Sequence, residues 1–160
     1  MGDDAAGLMF RRSIRRGPDG TVRLDLAEEE RGLLRQVAEE LRELLREEPE
    51  DPSLRRLFPT AHDNPSLERD YRELTRDQLV TGREKSFDLL AETAGRDLLT
   101  SDEADAWLRA VNDARLVLGT RLDISEDFDW DGFDETTPRA PELALYAYLS
   151  WLQEQLVEAM

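Results

Sequence analysis

The chain has 160 residues, 39% of them hydrophobic and 36% charged, with a formal net charge of -16 and no cysteine. That length suits one domain with a real core. The acidity argues against general affinity for nucleic-acid phosphates, which needs clustered positive charge, and the lack of thiols excludes disulfides, Cys-ligated zinc and a thiol redox switch.

Residues 1–7 are small and acidic, as a frayed terminus is. Residues 8–26 then read as a β-hairpin. Val22, Leu24 and Leu26 alternate with Arg23 and Asp25, the period of a half-buried strand, and Gly17-Pro18-Asp19-Gly20 is strong turn chemistry. The first strand carries Arg11, Arg12, Arg15 and Arg16, the one concentration of positive charge. A charged edge that resists aggregation is the leading account of it, and a binding patch the other.

Asp25 and Glu28 form a capping-box pattern that opens a first long helix. Its apolar stripe runs Leu33, Leu34, Val37, Leu41, Leu44 and Leu45, and Pro49 and Pro52 end it. An irregular connector with one helical turn follows. Pro65 after Asn64 reads as a cap with proline at the first helical position, and Leu67, Tyr71 and Leu74 share one face of a short helix. Thr75 with Gln78 reads as the cap of a separate helix to about Gly95, with the stripe Leu79, Arg83, Phe87, Leu90 and Ala94.

Thr100 with Glu103 caps the next helix, which runs to about Leu122. Its stripe is Ala104, Trp107, Leu108, Val111, Leu118 and Leu122, with Arg115 in the remaining slot. Residues 123–140 form an acidic-aromatic loop, long enough to imply function or mobility. The last helix, 141–158, is apolar nearly all round, which fits a central position in a bundle or half of a homodimer contact. The expected architecture is a single mainly α domain over residues 1–160. It is a helical bundle (27–122 and 141–158) with a short N-terminal β-hairpin.

Two groups of residues are candidate sites. Arg83, Asn112, Asp113, Arg115 and Arg121 form a polar cluster. Half-buried arginines need carboxylate or amide partners, so a structural network that sets helix register is the leading reading, and a small-anion or ligand site the other. Gly119, costly in a helix interior by ~1 kcal/mol relative to alanine, marks a close helix approach. In the loop, Asp127, Asp129, Asp131 and Gly132 match the start of a calcium-binding EF-hand loop, but the twelfth position is Pro138 rather than glutamate, which argues against a metal there. The same stretch interleaves Phe128, Trp130 and Phe133 with carboxylates, the pattern of aromatic anchors in a charged rim that a basic partner protein could cover. A solvated loop whose rings cover the bundle end explains it equally well.

His62, the sole histidine, has no catalytic companions nearby in sequence, and no Gly-rich phosphate loop, HExxH or GxSxG occurs. No catalytic residue, metal or cofactor is expected. No stretch approaches ~18 consecutive apolar residues and no basic-then-apolar leader is present, so a cytoplasmic location without membrane contact is expected.

Three segments carry a resemblance: RLFPTA (56–61), WLRAVNDARLVLGTRL (107–122) and LYAYLSWLQEQLV (145–157). In order and spacing they are similar to the hallmarks of an actinobacterial domain-of-unknown-function family that includes the actinomycete oxidative-stress regulator. The resemblance implies a cytoplasmic, non-enzymatic regulator that associates with an extracytoplasmic-function type sigma factor and self-associates. In that branch a cysteine pair near the N-terminus is implicated in redox sensing. Residues 1–12 here, MGDDAAGLMFRR, contain no cysteine, so the disulfide switch does not carry over. The competing readings are a small-anion binder or enzyme built on the Arg/Asn cluster, and a purely structural dimer.

Overall fold

The computed structural model describes residues 13–58, 65–124 and 138–160, and of residues 65–77 the backbone alone. The fold is mainly α, with a short antiparallel sheet whose first two strands precede the helices. Strands β1 (Ile14–Arg16) and β2 (Val22–Leu24) pair with Ile14 opposite Leu24 and Arg15 opposite Arg23. Between them a 3-10 turn at Pro18–Gly20 places Asp19 and Gly20 at positive φ, which aspartate and glycine tolerate best. Ile14, Val22 and Leu24 are buried, while Arg15 and Arg23 are exposed, as strand alternation requires.

Helix α1 (Glu28–Glu47) buries Leu34, Val37, Ala38, Leu41 and Leu45. Its start differs from the expected one. The cap is Ala27, whose N–H donates to the Glu30 carboxylate at 2.8 Å, so the reciprocal arm of the box is supplied two residues later than the Asp25 and Glu28 pattern suggested. A short 3-10 turn, Pro52–Leu54, follows and is capped by Asp51, which accepts from the Ser53 N–H at 2.8 Å.

Helix α2 (Pro65–Thr93) is one continuous element rather than the two expected. Neither proline nor glycine interrupts residues 66–81, so nothing stops the backbone ladder at Thr75, and a capping residue type alone does not end a helix. Leu79 is also exposed, which removes it from the inward stripe; Val80 packs on the core instead.

A third strand, β3 (Leu98–Leu99), which sequence periodicity did not reveal, pairs with β2 through Val22 opposite Leu99. Helix α3 (Ser101–Arg121) starts with the expected reciprocal cap of Thr100 and Glu103. It is the central helix, packing against α1, α2 and α4. Its buried positions are Ala104, Ala106, Trp107, Ala110, Val111, Asp113, Ala114, Val117 and Gly119. Arg115 is therefore off the core stripe, in a half-buried position. Helix α4 (Ala140–Ala159) packs on α3 and β1.

At the centre Trp107 is fully buried, and its indole N–H donates to the Thr93 hydroxyl at 2.6 Å. That hydroxyl donates in turn to the Leu89 carbonyl at 2.6 Å. The single polar atom of the ring is thus satisfied without water.

Candidate functional site

The five residues of the polar cluster do not form one site. Successive helical residues are about 100° apart around the axis, so Asp113 and Arg115 point to nearly opposite sides of α3. Asp113 faces α2, where its carboxylate lies 2.6 Å from Arg83 Nη1. The other terminal nitrogen of Arg83 donates to the Leu57 carbonyl at 2.8 Å, and the guanidinium lies over the Phe58 ring at 5.6 Å. One arginine thus ties α2, α3 and the segment after α1 together. Burial pushes the Asp113 carboxyl above its ordinary range, and the hydrogen bond and charge of Arg83 oppose that shift.

Asn112 and Arg115 face α4. Asn112 Oδ1 accepts from Arg115 at 3.4 Å and from the Gln153 amide at 3.3 Å. Among the described residues Arg83 Nε, Arg115 Nε and Gln153 Oε1 are all buried without a hydrogen-bond partner, and the Asn112 group is looser than the Arg83 pair because its contacts are longer, 3.3–3.4 Å against 2.6–2.8 Å. Arg121 is exposed at the end of α3, and its carbonyl accepts from Arg139 at 3.3 Å. Gly119 does mark a close approach. A Cβ there would sit 3.1 Å from Tyr146 Cε2 on α4.

Phe128, Trp130, Phe133, Asp127, Asp129 and Asp131 lie outside the described residues, as do His62, Arg11 and Arg12. Among the described residues no group of three or more His, Cys, Asp or Glu side chains could hold a metal ion, and no helix is long and apolar enough to cross a membrane.

Two polar groups escaped sequence reading. Arg31 is buried, donating from Nε to the Leu26 carbonyl at 3.1 Å and from Nη1 to the carbonyls of Ala94 (3.1 Å) and Arg96 (2.6 Å). Its remaining nitrogen pairs with Asp97 at 3.3 Å. It holds the chain leaving α2 against the start of α1. The signal was present, since Arg31 lies three residues before Leu34 and seven before Ala38, on the inward stripe. Tyr148 donates to Glu30 at 3.1 Å, and burial first, then the charge of Glu30, raises its phenol pKa far above the ordinary value. No local pattern links residues so far apart in the chain.

An open groove of about 350 Å³ lies between α1 and α4, with α3 as its floor. Leu41, Leu44, Val117, Leu118, Leu145 and Leu149 supply apolar walls and floor. Glu40, Glu43, Glu47 and Glu48 line the α1 side, and Arg121 stands at the end of α3. The arginines of the same α1 segment border Glu43 and Glu47 on the helix surface and reach toward α2, Arg42 pairing with Asp88 at 2.7 Å and Arg46 with Glu84 at 3.3 Å.

Comparison with known proteins gives these residues a context. A relative named "Putative oxidative stress regulator AosR" from Mycobacterium leprae (strain TN) is 35% identical over 130 residues, 70% of this chain and 59% of the relative. "Oxidative stress regulator AosR" from Mycobacterium tuberculosis (strain ATCC 25618 / H37Rv) is 31% identical over 127 residues, 68% of this chain and 58% of the relative. The chain thus spans less than two thirds of the length of these relatives. No solved structure matches it at a significant level. A family model described as "Domain of unknown function (DUF2017)" matches residues 10–160, and the chain belongs to that family.

Proposed function

We propose that the protein is a non-enzymatic regulator of the oxidative-stress-regulator type, working in the cytoplasm by binding another protein, with a sigma factor as the partner class. The observation that carries this reading is the similarity to mycobacterial proteins named oxidative stress regulators over about two thirds of the chain. The chain has no cysteine, so its response to oxidants works without a thiol switch of its own and is relayed by the partner or by protein level. The alternative small-anion site is disfavoured by Asp113, which already occupies the face of Arg83 that an anion would need. Self-association through the last helix belongs to the same reading, since α4 leaves Val157 and the adjoining Met160 exposed.

The test is purification of the tagged protein from its native cell with and without peroxide, read by mass spectrometry. A sigma factor or RNA polymerase subunit should co-purify, and a thiol reductant added to the lysate should not release it through this chain. Recovery of no transcription component in either state refutes the reading.

A further inference from the structure

The groove between α1 and α4 has a definite chemical character. Its floor is aliphatic, and one long wall carries Glu40, Glu43, Glu47 and Glu48. Among the described residues no ion pair is formed by this wall: Arg42 and Arg46 border Glu43 and Glu47 on the α1 surface but pair with Asp88 and Glu84 of α2. Glu47 and Glu48 also lie at the C-terminal end of α1, where the helix dipole is already negative and acidic residues are unfavourable. Such a placement costs stability in the isolated protein and is offset when a cation docks. The groove exists because α1 is held by α2 while α4 is held by α3 and β1, and the two walls are bridged at the other end by Tyr148 and Glu30.

We infer that this groove is the docking site for an amphipathic helix of a partner protein, with leucine-type side chains on one face and arginine or lysine along the flank that meets α1. Aliphatic side chains spaced i, i+3 or i+4, and i+7 fill the floor, the usual way a helix is read by a groove. The basic flank lies along the glutamate wall, and a neutral or acidic residue meets Arg121. The electrostatic part chooses the orientation and the partner, and the apolar part supplies most of the affinity. This inference rests on the protein-binding reading above and names the surface that carries it.

The experiment uses the full chain and two fluorescein-labelled peptides of about 20 residues, with identical leucine positions and either arginine or glutamate on the flank. Fluorescence anisotropy should show saturable binding of the arginine peptide alone, weakening as salt rises from ~0.05 to ~0.3 M. The double variant Glu43→Lys/Glu47→Lys, altered at exposed positions, should melt at or slightly above the parent's temperature, lose about tenfold in affinity for the arginine peptide and gain affinity for the glutamate peptide. Amide chemical shifts of Leu44, Leu118 and Leu145 should move with the arginine peptide. No saturable binding up to ~100 μM, or binding that the double variant leaves unchanged, overturns the inference. Two further outcomes overturn it by naming another occupant. One is a dimer in light scattering that the double variant dissociates. The other is tight peptide binding only after residues 1–12 are deleted, which would assign the groove to the chain's own Leu8–Arg12. Failures of the two readings separate cleanly. A sigma factor that co-purifies equally with the double variant leaves the regulatory reading standing and removes the groove.

Discussion

Replacing Asp113 by alanine tests what the Arg83 pair does for the fold. The Asp113 side chain is 7% exposed and that of Arg83 26%, so the carboxylate is desolvated while the guanidinium keeps part of its hydration. Removing one partner of a buried pair costs about 3–5 kcal/mol, and the partial hydration of Arg83 puts this case at the lower end, about 3 kcal/mol. For a chain of this size that corresponds to a fall in Tm of about 6–12 °C. The double variant Arg83→Met/Asp113→Leu removes both charges. It leaves the Leu57 carbonyl without its donor, a loss of about 1–3 kcal/mol, and recovers the desolvation cost of two charges, so the net change is expected within about 1 kcal/mol of zero. Urea unfolding of Arg83→Met, Asp113→Leu and the double gives the coupling directly, with the double expected to be clearly less damaging than the sum of the two singles. The acidic limb supplies a second check. Because the folded pKa of Asp113 is raised, the native state holds this proton more tightly than the unfolded chain. Its contribution to stability therefore falls as pH rises from the usual carboxylate range through the raised value, and Asp113→Asn abolishes that component. An alanine variant costing less than ~1 kcal/mol, or a double variant as damaging as the sum of the singles, would falsify the view that the pair specifies helix register rather than adding stability.

Two further substitutions probe elements that sequence reading treated unequally. Arg31→Met keeps the aliphatic stem but strands the carbonyls of Leu26, Ala94 and Arg96. A loss of about 3–5 kcal/mol is expected, with hydrogen exchange accelerated first around residues 94–97; a melt within 2–3 °C of the parent, under about 1 kcal/mol, would mean that water replaces the guanidinium. Gly119→Leu adds a branched side chain where even a Cβ lies 3.1 Å from Tyr146, so α3 and α4 must separate and about 1–3 kcal/mol is lost despite the better helix propensity. A leucine variant as stable as the parent in thermal denaturation would show that the Tyr146 ring simply swings aside.

Most of the helical framework was legible because its signals are local. The turn at Gly17–Gly20, the reciprocal cap of Thr100 and Glu103, the amphipathic stripe of α1 and the start of α4 near Pro141 depend on residues within a turn or two of each other. The exceptions were local as well. Thr75 looked like a cap but has no breaker beside it, and Leu98–Leu99 is too short for any periodicity to register. The polar cluster marks the boundary of what such reasoning reaches. Sequence spacing showed that Arg83 and the 112–115 stretch need polar partners, because half-buried guanidinium and carboxylate groups cannot be left unpaired. Which partner each received depended on how α3 is rotated between two neighbours. That rotation sends Asp113 to α2, Asn112 and Arg115 to α4, and Arg121 to the groove end. The groove itself has no signature along the chain. Its walls come from α1 and α4, at opposite ends of the described chain, and its charge became visible only once Arg42 and Arg46 were seen paired with α2, leaving the neighbouring glutamates of the same helix without ion pairs.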